Sequence, residues 1–235
     1  MANPQVSAPA RALPAAPGPT GLLKSTIGLK IVMAASGIVL VGFLIAHFLG
    51  NALIFVGRDA INAYSAVLHK NQELLWVARL VLLAAILLHI YSSFQLYAKN
   101  QAARHQRYRV KRDLATNYAA RTMMWSGPIV LGFLVYHLAH LTFGYTPGRY
   151  AHSHDDVYAN LVRGFSIWWV ASLYIASMLA LSGHLFHGTW SMFQSLGINH
   201  PSYNLRLRRL ALGITLLIVL GNISIPLAVL LGVVR

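Results

Sequence analysis

Apolar residues in this chain come in long blocks, not in the short alternating runs of a sheet or the single stripe of a surface helix. Five blocks stand out, near 28–56, 74–98, 122–144, 165–193 and 210–234. Each is at least about 20 residues long, enough to cross a bilayer as a helix. Lipid offers no hydrogen-bond partner to backbone amides, so such spans are expected to be α-helical. The pattern therefore predicts an all-α integral membrane protein: five transmembrane helices in one bundle covering 23–235. Residues 1–22, which contain "APARALPAAPGPTG", lack an apolar core of the kind a cleaved signal peptide carries. They read as a disordered Ala/Pro-rich tail.

The polar residues inside the blocks are informative. "GFLIAHFLGN" places His47 in the first, and "GFLVYHLAHL" places His137 in the third. Gly42-Phe43-Leu44 stands before His47 as Gly132-Phe133-Leu134 stands before His137, and Ser36-Gly37 repeats as Ser126-Gly127 at the same distance. The second block carries His89 and the fourth His184; the fifth has no histidine. Each of the four lies in the C-terminal half of its helix. His47, for example, is 17 residues past Lys30 and 11 before Arg58, or about 25 Å and about 16 Å at 1.5 Å per residue. Successive spans run in opposite directions. His47 and His137 are thus expected near one face of the membrane, and His89 and His184 near the other. Two histidines at one depth on different helices can share a metal.

Charge supplies the orientation. The chain has 19 basic and 5 acidic residues, a net +14, yet only 10% of its residues are charged and 57% are hydrophobic. The basic residues fall between spans, as in "KNQAARHQRYRVKRD", so a cytoplasmic membrane face explains them better than nucleic acid does. With the N-terminus inside, Arg11, Lys24, Lys30, the loop from Lys99 to Arg121, and Arg206, Arg208 and Arg209 hold 13 of the 19 on the cytoplasmic side. There is no cysteine, which excludes disulfides, Cys-held iron–sulfur clusters and covalent haem attachment on this chain.

An ionisable side chain inside a membrane span marks a functional site by default. The plainer alternative is a hydrogen bond between helices. Four histidines, one per helix and matched in depth, favour ligation. Zinc and copper usually recruit more protein ligands per metal. Two neutral imidazoles above and below an iron porphyrin complete an octahedral iron. Ser36, Gly37, Gly42, Ser126, Gly127, Gly132, Ser93 and Gly188 are small residues that admit a flat cofactor close to the backbone, or simply let helices pack. His140 and His187 each follow a proposed ligand by three residues and share its helical face, so both stand as alternative ligands. The repeat favours His137 over His140; the choice of His184 over His187 has less behind it. His69, His105, His152, His154 and His200 fall in loops.

Taken together, "FLIAHFLGN", "LLHIYSSFQLYAKN", "SGPIVLGFLVYHL" and "HLFHGTWSMFQSLGI" resemble the cytochrome b membrane anchor of succinate dehydrogenases and fumarate reductases, in its form with one five-helix subunit and two haems. The resemblance covers about residues 25–235, and His184 followed by Gly188, Trp190 and Ser191 is its most specific part. It implies two haem b groups, the inner on His89 and His184, the outer on His47 and His137. It implies electron transfer between an iron–sulfur subunit, itself fed by a flavoprotein subunit, and a membrane quinone, with menaquinone suggested by the di-haem form. It also implies a multi-pass protein of the bacterial inner membrane, with no dicarboxylate chemistry on this chain. Lys30, Arg121, Ser36 and Ser126 become candidates to meet haem propionates, and His69, Asn62 and Glu73 candidates for a quinone site on the outer side. Some relatives carry a glutamate just before the fourth ligand; Ser182 stands there instead, which puts a carboxylate proton path in doubt. Another di-haem cytochrome b, of the b561 type or from a hydrogenase or formate dehydrogenase, is the alternative. A transporter or channel lacks support because no deep carboxylate is present, although Pro128 and Pro226 are candidate helix breaks. An anchor that has lost its haems would have no reason to keep all four histidines.

Overall fold

The computed structural model describes residues 21, 23–103, 118–145, 147 and 150–235. The N-terminal tail, apart from Gly21, lies outside them, as do the basic residues from Arg104 to Arg112 and Arg149. The described residues form seven α-helices and no strand: α1 (Thr26–Asn51), α2 (Arg58–Lys70), α3 (Gln72–Ala102), α4 (Tyr118–His137), α5 (Val157–Phe165), α6 (Trp168–Ser195) and α7 (Pro201–Leu230). A 3₁₀ turn over Ala52–Phe55 extends α1, and a π-helical turn over Leu138–Thr142 extends α4. Five of these helices, counting the two extensions, are long and apolar enough to cross a membrane.

Local chemistry sets the ends. Ser25 Oγ accepts from Gly28 N at 2.9 Å and caps α1. Gly57, at φ +134°, takes a backbone conformation that favours glycine and turns the chain from the 3₁₀ segment into α2. The Asp156 carboxylate caps α5 by accepting from Ala159 N at 3.1 Å. Pro201 opens α7, where a missing amide hydrogen costs nothing.

In the bundle, α1 packs on α3, α4 on α6, α6 on α7, and α1 on α6. Lys24, Lys30, Lys99, Arg121 and the arginines that open α7 gather at one end, here the basic end. Arg208 lies over the Phe186 ring there, 5.9 Å from its centroid. In mid-bundle Met178, Leu181 and Leu185 of α6 bury against Ile218 and Val219 of α7, with Val41 and Leu44 of α1 and Val130 of α4 alongside. Leu80, Leu83 and Leu87 of α3 face outward, as lipid-contacting residues do.

At the other end α2 and α5 form a helical cap. Ile61, Leu161 and Phe165 bury in one cluster with Val170, Tyr174, Ile225 and Val229. Arg58 pairs with Asp156. Asn62 joins them, donating from Nδ2 to Asp156 Oδ1 at 3.0 Å and accepting from Tyr158 N at 3.1 Å. The Arg58 and Asn62 hydrogen bonds hold the Asp156 carboxyl well below its ordinary value, and the pair raises Arg58. A depressed carboxyl stabilises the fold above its unfolded value of about 3.8 and loses that contribution as pH falls through the folded value. Exposure keeps the effect small. Proteolysis within residues 57–70 should therefore be constant above about pH 5 and accelerate in acid, and Asp156→Asn should flatten that acid limb. An unchanged acid limb in the variant would assign it to other groups.

The fold differs from the sequence pattern in four respects. The connections 57–73 and 145–163 contain helices, because both are too polar for a span yet amphipathic enough to cap one. The fourth block begins inside α5, and the chain breaks at Ser166–Ile167 before α6. The fifth helix starts at Pro201, so Arg206, Arg208 and Arg209 lie on its first turns rather than in a loop. Pro128 and Pro226 sit within α4 and α7 without ending either.

Candidate metal centres

The fold brings the four span histidines together two by two. His89 of α3 faces His184 of α6, with ring centroids 6.4 Å apart. His47 of α1 faces His137 of α4 at 5.7 Å. The first pair lies toward the basic end, the second toward the cap. Ser36 touches His89 and stands 11 residues before His47; Ser126 touches His184 and stands 11 before His137. Each spacing corresponds to about 16 Å of helix between the two levels.

The pair at the basic end is held by the Ser-Gly repeats. Ser36 Oγ donates to Val32 O at 2.8 Å, within its own helix. Its oxygen remains to accept from His89 Nδ1 at 3.3 Å, and Met33 O lies 3.2 Å from the same nitrogen. A carbonyl only accepts, so His89 Nδ1 carries the proton and Nε2 keeps its lone pair. Ser126 does the same for His184: its hydroxyl donates to Met123 O at 3.4 Å, and its oxygen is 3.2 Å from His184 Nδ1. Both serines are buried. The adjoining glycines explain why the rings fit. A Cβ on Gly37 would stand 3.7 Å from His89 Cε1, and one on Gly127 would stand 3.9 Å from His184 Cε1.

The second pair is built differently. Phe43 stacks on His47 at 5.2 Å, and Phe133 lies 5.8 Å from His137. Each phenylalanine comes from the Gly-Phe-Leu repeat and precedes its histidine by one helical turn. His137 Nδ1 is buried without a partner. Gly42 and Gly132 face open space: a Cβ on either would meet nothing within 4 Å.

His140 is not a spare ligand. It is fully buried, with Nδ1 3.0 Å from the Tyr174 hydroxyl and Nε2 2.8 Å from the Tyr150 hydroxyl. Both nitrogens are occupied, and the ring sits on the π-helical turn that begins at Leu138. His187 lies 3.1 Å by Nε2 from Ser191 Oγ on its own helix. Ser93 is exposed, and it is Ser92, completely buried, that turns into the bundle with His89. Gly188 is half-buried and meets nothing within 4 Å. Lys30 and Arg121 are exposed at the basic end, on the helices that carry Ser36 and Ser126.

The three residues considered for a quinone site do not act together. Asn62 commits both ends of its amide to the cap, His69 Nδ1 turns back to Ser65 O at 2.8 Å, and Glu73 is exposed at the start of α3. Tyr174, Tyr150 and Met33 are the contacts that the sequence pattern did not single out. The phenylalanines, by contrast, were in plain view within the repeated motif.

What can the two pairs hold? Among the described residues no group of three or more His, Cys, Asp or Glu side chains is placed to bind one metal ion. Two imidazoles per centre is what the described residues offer. With ring centroids 5.7 Å and 6.4 Å apart, the two imidazoles of each pair stand close enough to share one metal. Five buried polar side-chain atoms among the described residues lack partners: Ser92 Oγ, Tyr136 Oη, His137 Nδ1, His187 Nδ1 and Thr189 Oγ1. All belong to residues within five positions of a paired histidine, as expected where a cofactor with polar edges completes the packing. Comparison of the chain with protein-family models, with curated proteins and with solved structures gives no match.

Proposed function

We propose that this chain is a di-haem cytochrome b, the membrane subunit through which a succinate:quinone oxidoreductase passes electrons between its iron–sulfur protein and a membrane quinone. The observation that carries the reading is the pairing of four histidines from four spans, with ring centroids 6.4 Å and 5.7 Å apart. Its assignment to the succinate dehydrogenase and fumarate reductase class rests on the motifs around those histidines.

On this reading His89 and His184 hold one haem and His47 and His137 the other, through Nε2 where the hydrogen bonds define the tautomer. Bound haem supplies a one-electron couple at each level. The residues of the chain do the rest. Ser36, Ser126 and Met33 fix the ring orientation of the first pair. Phe43 and Phe133 wall the second. Leu44, Val130 and Phe133 pack against the apolar cluster of Met178, Leu181 and Ile218, and an apolar surround tunes the potentials. If each haem is held by its pair of imidazoles, the two centres would serve electron transfer and not bond chemistry. The enzyme's bond chemistry then belongs to the flavoprotein partner, and electrons enter from the cytoplasmic, basic end.

The test is a pyridine haemochrome assay on the purified chain, with protein quantified independently. Two b-type haems per chain are expected; one or fewer on fully loaded protein would sink the reading.

A further inference from the structure

We infer that Ser36 and Ser126 are matched positioning residues for the two histidines at the basic end, and that they set the redox poise of that centre alone. The inference rests on the haem reading above.

The argument starts from an asymmetry. The Ser-Gly repeat lies on α1 and α4, the helices that also carry His47 and His137. Yet its hydroxyls serve neither of these. Each reaches across to the next long helix: Ser36 to His89 Nδ1 at 3.3 Å, and Ser126 to His184 Nδ1 at 3.2 Å. The second pair has no equivalent, since His137 Nδ1 is buried and unpartnered. One sequence repeat therefore anchors both rings of one centre and leaves a ring of the other free.

An Nδ1–H that donates to oxygen makes the opposite nitrogen a stronger base and fixes the ring's orientation. A more basic ligand favours the oxidised, more positive metal and lowers its potential. The same hydroxyl serves as acceptor here because its own proton is spent on its helix, at Val32 O for Ser36 and Met123 O for Ser126. The two serines are not equivalent. His89 Nδ1 has the Met33 carbonyl 3.2 Å away as a second acceptor. For His184 the acceptor is Ser126. Losing Ser126 should thus cost more than losing Ser36.

The experiment uses the intact membrane complex with Ser36→Ala, Ser126→Ala and the double variant. Ser126→Thr keeps a hydroxyl. Ser177→Ala serves as control, because that hydroxyl donates to Leu173 O at 2.7 Å on its own helix. Haem content, the low-spin ferric EPR signals and both midpoint potentials are measured. Ser126→Ala should shift the reduction equilibrium of the His89–His184 haem upward about tenfold, about 59 mV for one electron, or release that haem. Ser36→Ala should move it less, Ser126→Thr should stay near wild type, and the other haem should not respond. A His89–His184 haem indifferent to the double variant would overturn the inference. So would equal shifts of both haems, or a threonine variant displaced as far as the alanine one. A wild-type complex without haem on this chain would instead sink the haem reading itself.

Discussion

Leucine at His184 should abolish one haem and spare the other. The chain should fall from about two haems to about one, because an iron with one protein ligand is not retained as a low-spin bis-imidazole centre. Leucine at His89 should remove the same haem, since the two rings face each other at 6.4 Å across α3 and α6. Leucine at His47 or His137 should remove the other, since those two rings face each other at 5.7 Å. Low-temperature absorption spectra of the four single variants sort them into two classes. The test discriminates because connectivity alone would pair His47 with His89, and His137 with His184, on helices that pack directly. If the spectra grouped the variants that way, the antiparallel geometry would be wrong. His140→Leu provides the contrast. It should keep both haems but lose thermal stability by about 1–3 kcal/mol, because it strands two tyrosine hydroxyls, at least one of them buried. His187→Leu should keep both haems with little cost.

The spans were legible because a bilayer imposes a length and an apolar composition that few other contexts require. The pairing was legible as well. A histidine's position within its block, together with alternating helix direction, predicts which rings meet, and His89–His184 and His47–His137 are the rings in contact. Lateral contacts were not. That Ser36 grips His89 rather than assisting His47 depends on which helices are neighbours and how each is rotated, and apolar blocks with little amphipathic bias encode neither. Ser92 and Ser93 illustrate the point: adjacent serines on one helix, of which the rotation of α3 buries the first and exposes the second. The caps were missed for a different reason. Residues 58–70 and 157–165 are short, partly charged and flanked by spans, so they read as loops. Their helicity is stabilised by tertiary contact between Ile61 and Leu161 and by the Arg58–Asp156–Asn62 network. Asn62, singled out as a quinone contact for its position near a membrane edge, is consumed by that network.

Bulk at Gly37 or Gly127 should empty the His89–His184 centre as completely as removing a ligand. The two glycines lie on α1 and α4, next to the serines that hold the rings. Alanine is tolerable at each. Its Cβ would sit 3.7 Å from His89 Cε1, or 3.9 Å from His184 Cε1, which is ordinary van der Waals contact. Leucine adds carbons beyond that point, where the imidazole is the nearest group, and overpacking of this kind costs about 1–3 kcal/mol. The ring would yield by rotating off Ser36 or Ser126, and a displacement of about 1 Å is enough to lose a ligand bond of about 2 Å. Gly37→Leu and Gly127→Leu should therefore each lose the haem at the basic end, while Gly37→Ala and Gly127→Ala retain it. A Cβ on Gly42 or Gly132, five residues before the other pair, would meet nothing within 4 Å. Leucine there should disturb only the His47–His137 haem, if the open space beside those glycines is where that cofactor lies. Haem-to-chain ratios and the two α-band positions in these variants settle the matter. Leucine variants at Gly37 and Gly127 that kept both haems with unshifted bands would show that these glycines serve helix packing alone.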